Sequence, residues 1–215
     1  LFFYCLINMS QSLIIGITGG SGSGKTSFIR ALADRFSEKE LCIISQDDYY
    51  RPIEEQYIDS NGIVNYDLPS SIDLRAFAED IKKLNNGEIV ERMEYTFNNI
   101  LAESQKIVFK PAPIILVEGL FVFYMEELKD ILQFKVFVHA EENTKLIRRI
   151  KRDQMERNYP LDDVLYRYEY HVNPSFRQFI QPYIEDADII INNSNDYKKG
   201  LRIIEGFFQD HLTRG

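Results

Sequence analysis

The sequence predicts an α/β fold, a parallel sheet flanked by helices. Short β-branched apolar runs alternate with segments whose apolar residues recur at helical spacing. No linker, internal repeat or low-complexity segment interrupts that alternation, so successive strands are expected to join through right-handed βαβ units.

The elements follow in order. Ser12 to Thr18 is a β-branched run ending in a glycine cluster, and it reads as a buried strand. Thr26 to Phe36 places Phe28, Ile29, Leu32, Ala33 and Phe36 on one helical face. Leu41 to Ser45 is a second short strand. Arg51 to Ser71, rich in Asp, Asn, Pro and Tyr, reads as an irregular, functional loop. Asp73 caps a helix from Leu74 to Leu84, which Asn85-Asn86-Gly87 ends.

Glu88 to Val108 alternates and is rich in Tyr and Phe, the pattern of hairpin strands on the edge of the main body. Pro111 to Val117 and Phe134 to Val138 are further buried strands, the first followed by Glu118-Gly119. Asn143 to Asn158 is a strongly basic helix. Leu161 to Gln181 is a second, expected to kink or break near Asn173-Pro174 because proline removes a helical hydrogen bond. Ile189 to Ile191 is a fifth sheet strand, and Lys199 to Leu212 closes the chain as an amphipathic helix.

Composition bounds what such a chain does. With 215 residues, 45% hydrophobic and 27% charged, one soluble domain over residues 9–215 buries its core without disulfide or structural metal. Its 33 acidic and 25 basic residues give a net charge of −8, which argues against a nucleic-acid partner. Any anion site must therefore be local.

Cys5 and Cys42 lack the neighbours of a zinc site and read as reduced thiols, Cys42 in the core. Leu1 to Ile7 is apolar but has no basic flank and is too short to span a membrane. Met9 reads as the natural start and residues 1–8 as an upstream or non-native extension. With no other long apolar segment, a cytoplasmic protein without a membrane partner is expected.

The chemistry begins at Gly19-Gly20-Ser21-Gly22-Ser23-Gly24-Lys25-Thr26, a full match to the G-x-x-x-x-G-K-[ST] phosphate loop. Glycines let successive N–H groups turn inward towards phosphate oxygens, and the helix that follows adds its positive end. Lys25 is the candidate to bridge the β- and γ-phosphates, and the Thr26 hydroxyl to ligate Mg²⁺. The motif follows an apolar strand and opens a helix, the context that confirms it. Mg²⁺ also needs a carboxylate, and Glu118 supplies one at the carboxyl end of a buried strand.

Ser45-Gln46-Asp47-Asp48-Tyr49-Tyr50 follows the second strand at the same edge. An acid there can take the proton of an attacking hydroxyl and orient it in line with the γ-phosphate, which makes Asp47 the candidate base. A turn-forming Asp pair explains the same residues without chemistry. Arg148, Arg149, Arg152 and Arg157 crowd ten positions of an otherwise acidic chain. Such guanidiniums can close over a triphosphate and neutralise charge on the transferred group, where most Arg-rich helices are simply solvated faces.

Taken together, the phosphate loop, Ser45-Gln46-Asp47 with Tyr49-Tyr50, Asn65-Tyr66-Asp67-Leu68-Pro69, Val117-Glu118-Gly119 and Arg148-Arg149-Ile150-Lys151-Arg152-Asp153 resemble the uridine kinase (uridine–cytidine kinase) family. The resemblance covers about Ser12 to Ile191 and is far more specific than the phosphate loop alone. It implies a P-loop NTPase fold of the nucleoside monophosphate kinase-like kind. It also implies a β-hairpin acceptor-binding insertion over residues 88–108 and a helical lid over 148–170.

By resemblance, ATP or GTP with Mg²⁺ is the donor, and Asp47 is the base for the ribose 5′-hydroxyl. Asp67 partners ribose hydroxyls, and Tyr50 and Tyr66 wall the acceptor pocket. Arg149, Arg152 and Arg157 match lid arginines, with Arg149 and Arg152 at the reacting phosphate and Arg157 on the nucleotide. Pyrimidine salvage and a homo-oligomer are likewise what the resemblance implies.

The chain departs from the family in two places. The hairpin's Tyr-Asp-x-x-x-His, whose histidine reads the pyrimidine, is here Tyr95-Thr96-Phe97-Asn98-Asn99-Ile100. Thr96 replaces the aspartate, and Ile100 replaces the histidine and cannot hydrogen-bond a base edge. Tyr159-Pro160 replaces a further Arg-Asp of the lid. Tyr95, Phe97 and Ile100 remain the candidate acceptor-pocket residues of this segment. His139, His171 and His211 read as structural or surface.

Three classes of function follow. The leading one is an ATP- or GTP-dependent uridine/cytidine kinase making the 5′-monophosphate, with another nucleoside, pantothenate, a sugar phosphate or glycerate as alternative acceptors. A degenerate, non-catalytic binding module is a second, against which intact Lys25, Thr26, Asp47 and Glu118 argue. A GTPase or ATPase switch is the third class. It lacks an Asn-Lys-x-Asp guanine-reading motif and leaves Asp47 and the arginines unexplained.

Overall fold

The computed structural model describes residues 12–95 and 105–214. Cys5, Met9 and the 1–8 extension lie outside it, as do Thr96, Phe97 and Ile100. The expected sheet forms from β1 (Leu13–Thr18), β2 (Leu41–Ser45), β7 (Ile114–Glu118), β8 (Phe134–His139) and β9 (Ile189–Asn192). Their order is β2-β7-β1-β8-β9, every pair parallel.

Strands β1 and β7 sit inside the sheet and are buried on both faces, which is why they read as unbroken apolar runs. One side chain set faces Phe28, Ile29 and Leu32 of α1 (Lys25–Ala33) and Leu201, Ile204 and Phe208 of α6 (Lys198–Arg214). The other packs on Phe77, Ile81 and Leu84 of α2 (Leu74–Asn85), and Cys42 is buried on that side. The sheet therefore has helices on both faces and two apolar layers.

Loop 51–71 is closed at its base, because Arg51 N–H donates to the Ser71 carbonyl and Asp73 N–H to the Tyr49 carbonyl. Within it, β3 (Tyr57–Ile58) and β4 (Val64–Asn65) form a small antiparallel pair. Asp73 caps α2, its carboxylate accepting from Ala76 N–H at 3.0 Å. Strands β5 (Val90–Met93) and β6 (Lys106–Phe109) pair antiparallel outside the main sheet.

Helix α3 (Glu142–Arg157) ends on Asn158 in the left-handed conformation, φ 54°. From α4 (Leu161–Arg167) the chain stays helical as far as Ile180, which corrects the break expected near Pro174. Two stretches, Tyr168–Val172 and Phe176–Ile180, widen to π-helical bonding on either side of α5 (Asn173–Ser175), which holds the proline. The looser bonding on both sides accommodates a residue without an N–H, and the backbone leaves the helical region only at Ile180, φ −122°.

The cap gives a direct test. Asp73→Ala is expected to cost about 1 kcal/mol in urea unfolding, and Asp73→Asn, which keeps an acceptor oxygen, only a small part of that.

Candidate active site

Three neighbouring strand ends build the cleft. β1 delivers the phosphate loop, β7 delivers Glu118, and β2 delivers Ser45 and the short helical turn Gln46–Tyr49 that carries Asp47. In register, Glu118 lies beside Ile17 on one flank and Ser45 on the other.

The loop's shape requires its glycines. Gly22 has φ 79°, and a Cβ there would lie 2.3 Å from the Lys145 carbonyl oxygen. Gly24 has φ 88° and serves as N-cap of α1 without any side-chain cap. No acidic residue occupies the first turn of α1, so its positive end is not neutralised locally. The loop is held from behind, because the Ser23 carbonyl accepts from Asn193 Nδ2 at 2.7 Å and from Arg148 Nη1 at 3.4 Å.

Lys25 points into the cleft and forms an ion pair with Glu118, whose other oxygen accepts from the Ser45 hydroxyl. Burial opposes the ammonium charge, but Glu118 and then Asp47 outweigh it and hold the Lys25 pKa above its ordinary value. Asp47 is exposed to the cleft yet has protein around it on its other sides. Desolvation and Glu118 push its carboxyl up, against the pull of Lys25, Arg157 and Arg152. A carboxylate with a raised pKa is a stronger proton acceptor than a free one.

Beside Asp47, Asp48 is raised to about 6 by burial and by Asp47, Glu94 and Glu118, an effect partly offset by a hydrogen bond from the Tyr95 backbone. The Tyr50 ring lies 6.1 Å from Tyr66 and 5.3 Å from Tyr95, so the three rings form one aromatic wall. Burial, then Asp47 and Asp67, raise the Tyr50 phenol well above its usual range.

The arginines meet this cleft from α3. Arg149, 6% exposed, donates to the Ser21 hydroxyl at 2.8 Å and stands 3.9 Å from Asp67. It thus bridges the phosphate loop and loop 51–71. Arg149, Arg152 and Arg157 all pair with Asp153.

Among the described residues no cluster of three or more acidic, His or Cys side chains could hold a metal by itself. Mg²⁺ does not need one: it takes one or two protein oxygens and fills its octahedron with phosphate and water. The Glu118 carboxylate and the exposed hydroxyl of Thr26, next to Lys25, are oxygen donors of that kind.

Several supporting residues carry no local motif signal. Gln46 is buried, accepts from Phe121 N–H at 2.9 Å, and pins the turn after Glu118. Asp80 accepts from Tyr49 Oη at 3.0 Å and from Arg92 at 3.1 Å, tying α2, the Asp47 turn and β5 together. Asp59 accepts from Tyr166 Oη at 2.8 Å and lies 2.7 Å from His171 Nε2, joining loop 51–71 to the helical segment that starts with α4. His171 is buried in that contact and holds a structural place.

Comparison with known proteins agrees with the architecture. Residues 14–198 match the model of the phosphoribulokinase / uridine kinase family. The chain is 37% identical to the uridine kinase of Streptococcus uberis over 84% of this chain and 86% of that one. It is 30% identical to the uridine kinase of Limosilactobacillus reuteri over 95% and 94%. Among solved structures, the phosphoribulokinase of Rhodobacter spheroides superposes with a TM-score of 0.60 at 17% identity, over 85% of this chain and 70% of that one. At such identity the likeness shows the fold alone.

The pKa of Asp48 predicts a pH signature. Its folded value near 6 exceeds the unfolded value of about 3.9, so the folded protein holds an extra proton between them. The contribution to stability therefore falls as pH rises from about 4 to 6 and stays low above. Asp48→Asn is expected to raise Tm at pH 7.5 and leave it unchanged at pH 4. An equal shift at both pH values would mean that the carboxyl does not titrate in this way.

Proposed function

The chain belongs to the phosphoribulokinase / uridine kinase family, and on that premise we propose that it is a nucleoside triphosphate-dependent kinase for the 5′-hydroxyl of uridine or cytidine. One observation carries the reading: Asp47 shares a cleft with Lys25 and Glu118, beside the Tyr50–Tyr66–Tyr95 wall. A proton acceptor next to a phosphate loop, under an aromatic wall, suits in-line transfer to the hydroxyl of a flat, uncharged acceptor.

In this reading the phosphate loop, Gly19 to Thr26, binds the triphosphate of ATP or GTP. Lys25 leaves Glu118 for the β- and γ-phosphates. Asp47 takes the proton of the acceptor hydroxyl as it attacks, and Asp67 holds the ribose hydroxyls. Arg149 and Arg152 offset charge growing on the transferred group, and Arg157 binds the nucleotide. Thr26 and Glu118 would hold Mg²⁺, which would supply charge neutralisation at the triphosphate.

Residues 9–215 act as one kinase domain with its hairpin at 88–108 and lid at 148–170, as a cytoplasmic homo-oligomer without nucleic-acid or membrane partners. Among the described residues no helix is long and apolar enough to cross a membrane.

The charge of the acceptor end separates the alternative acceptors. Asp47 and Glu94 both act on Asp48 there, and Asp67 bears on Tyr50. These carboxylates disfavour glycerate, pantothenate and sugar phosphates, an effect partly offset by Arg149, Arg152 and Arg157, whereas a neutral nucleoside carries no penalty. Within nucleosides, Thr96 and Ile100 stand where the resemblance places base-reading residues, so discrimination between bases is expected to be weak.

An ADP-release screen over nucleosides and anionic hydroxyl compounds tests the assignment. Turnover is expected on nucleosides, with poor efficiency on uridine and cytidine compared with a kinase that carries the histidine. Turnover confined to the anionic acceptors would overturn it. Asp47→Asn is expected to lower kcat by on the order of 10²-fold or more while ATP still binds. An Asp47→Asn enzyme with parental kcat would remove Asp47 from the chemistry.

A further inference from the structure

Asp153 is 1% exposed, a carboxylate among the most buried polar groups of the molecule. Four residues on either side of it along α3 stand Arg149 and Arg157, and that spacing stacks all three on one helix face. Its oxygens lie 3.2 Å from Arg149 Nε, 2.8 Å from Arg152 Nε and 3.5 Å from Arg157 Nη1. One carboxylate thus serves three guanidiniums, and these are the three placed at the triphosphate above.

Capping does not explain the side chain. The turn after α3 is closed by the Asp153 backbone carbonyl, which accepts from Tyr159 N–H at 3.0 Å, and any residue supplies that group. Phosphate affinity does not explain it either, because a negative charge beside an anion site weakens binding. What a buried carboxylate gives three long, flexible cations is direction. Each arginine has a long stem with many rotamers, a freedom that an ion pair fixed by packing removes before substrate arrives. Arg149 shows the result: held from behind by Asp153, it reaches forward to Ser21 of the phosphate loop and towards Asp67 of the acceptor loop.

We infer that Asp153 is a positioning residue, which aims the α3 arginines at the terminal phosphate from behind and never touches the nucleotide. The inference rests on the kinase reading for its kinetic consequences but not for its binding consequences.

The test uses the full chain and two readouts. Asp153→Asn keeps the size of the side chain and one acceptor oxygen but loses the charge. Its kcat is expected to fall at least about tenfold with the acceptor KM little changed, since aim matters most in the transition state. Fluorescence titration with ATP and with ADP is expected to show the parent's preference for ATP reduced about tenfold, with ADP affinity kept.

A residue with only a structural role would lower Tm and leave kcat per folded molecule and the ATP:ADP ratio at parental values, and that result overturns the inference. Should Asp153→Asn not fold, Asp153→Glu retains the charge and displaces it by one methylene, and the same two readouts apply. A folded Asp153→Glu with parental values overturns the inference, as does a parent that binds ATP and ADP alike. If the parent transfers phosphate to no acceptor, the kinase reading fails while the ATP:ADP ratio still decides the role of Asp153.

Discussion

The site depends on the parallel pairing of β7 between β2 and β1. That pairing places Glu118 beside Ser45 and Ile17 at one edge of the sheet. It sets the phosphate loop, the carboxylate and the Asp47 turn side by side, although they are far apart in sequence. A slip of one residue would carry Glu118 about 3.3 Å along the strand and turn it to the opposite face. Leu13 to Ile17 of β1 and Ile114 to Val117 of β7 are apolar and face two cores, so no such slip comes cheaply, since Glu118 would then be driven into one of them. Register, fixed by burial, is what makes chemistry possible at the edge.

Charge is sorted along this edge. A chain with net charge −8 sets Lys25, Arg148 and Arg149 at its phosphate loop, and Arg152 and Arg157 bear on Asp47 beside it. Asp47 and Asp48, on the turn after β2, have pKa values pushed upward. The two sets of charges are mutually supporting. Lys25 and the arginines keep Asp47 from rising further, while Glu118 and Asp47 hold Lys25 charged in a buried place. The charges of this edge are therefore coupled, each side setting the protonation of the other.

Much of this was legible in the sequence, and the reason differs by element. The strands could be read because burial on both faces demands unbroken apolar runs, as in Ile114 to Val117. The phosphate loop could be read because its constraint is local: backbone conformations at Gly22 and Gly24 that other residues resist. The arginines could be read as a cluster, but their common counter-ion Asp153 acts through burial, which sequence does not display. Gln46, Asn193 and the Asp59–Tyr166–His171 contact pair residues 75 to 170 positions apart, so no spacing rule finds them. Pro174 misled for a definite reason, since the rule for a proline break assumes α-helical bonding and the flanking turns are π-helical.

The same contrast explains how the acceptor side is supported. Asp47 and Tyr50 ride on a single helical turn and the first residue after it, with too few backbone bonds of their own to be rigid. Their support is Tyr49 between them, fully buried against Phe77 with ring centroids 4.8 Å apart. Its hydroxyl meets Asp80, and its ring lies under Arg92 at 3.7 Å. Arg92 belongs to β5, so the hairpin bearing Tyr95 and the turn bearing Asp47 share one buried polar anchor on α2. A satisfied polar network of this kind specifies one arrangement where apolar packing alone would permit several. Asp47 and the Tyr50–Tyr66–Tyr95 wall thus hold a fixed relation to each other, set through Tyr49 and Arg92 by one carboxylate, Asp80.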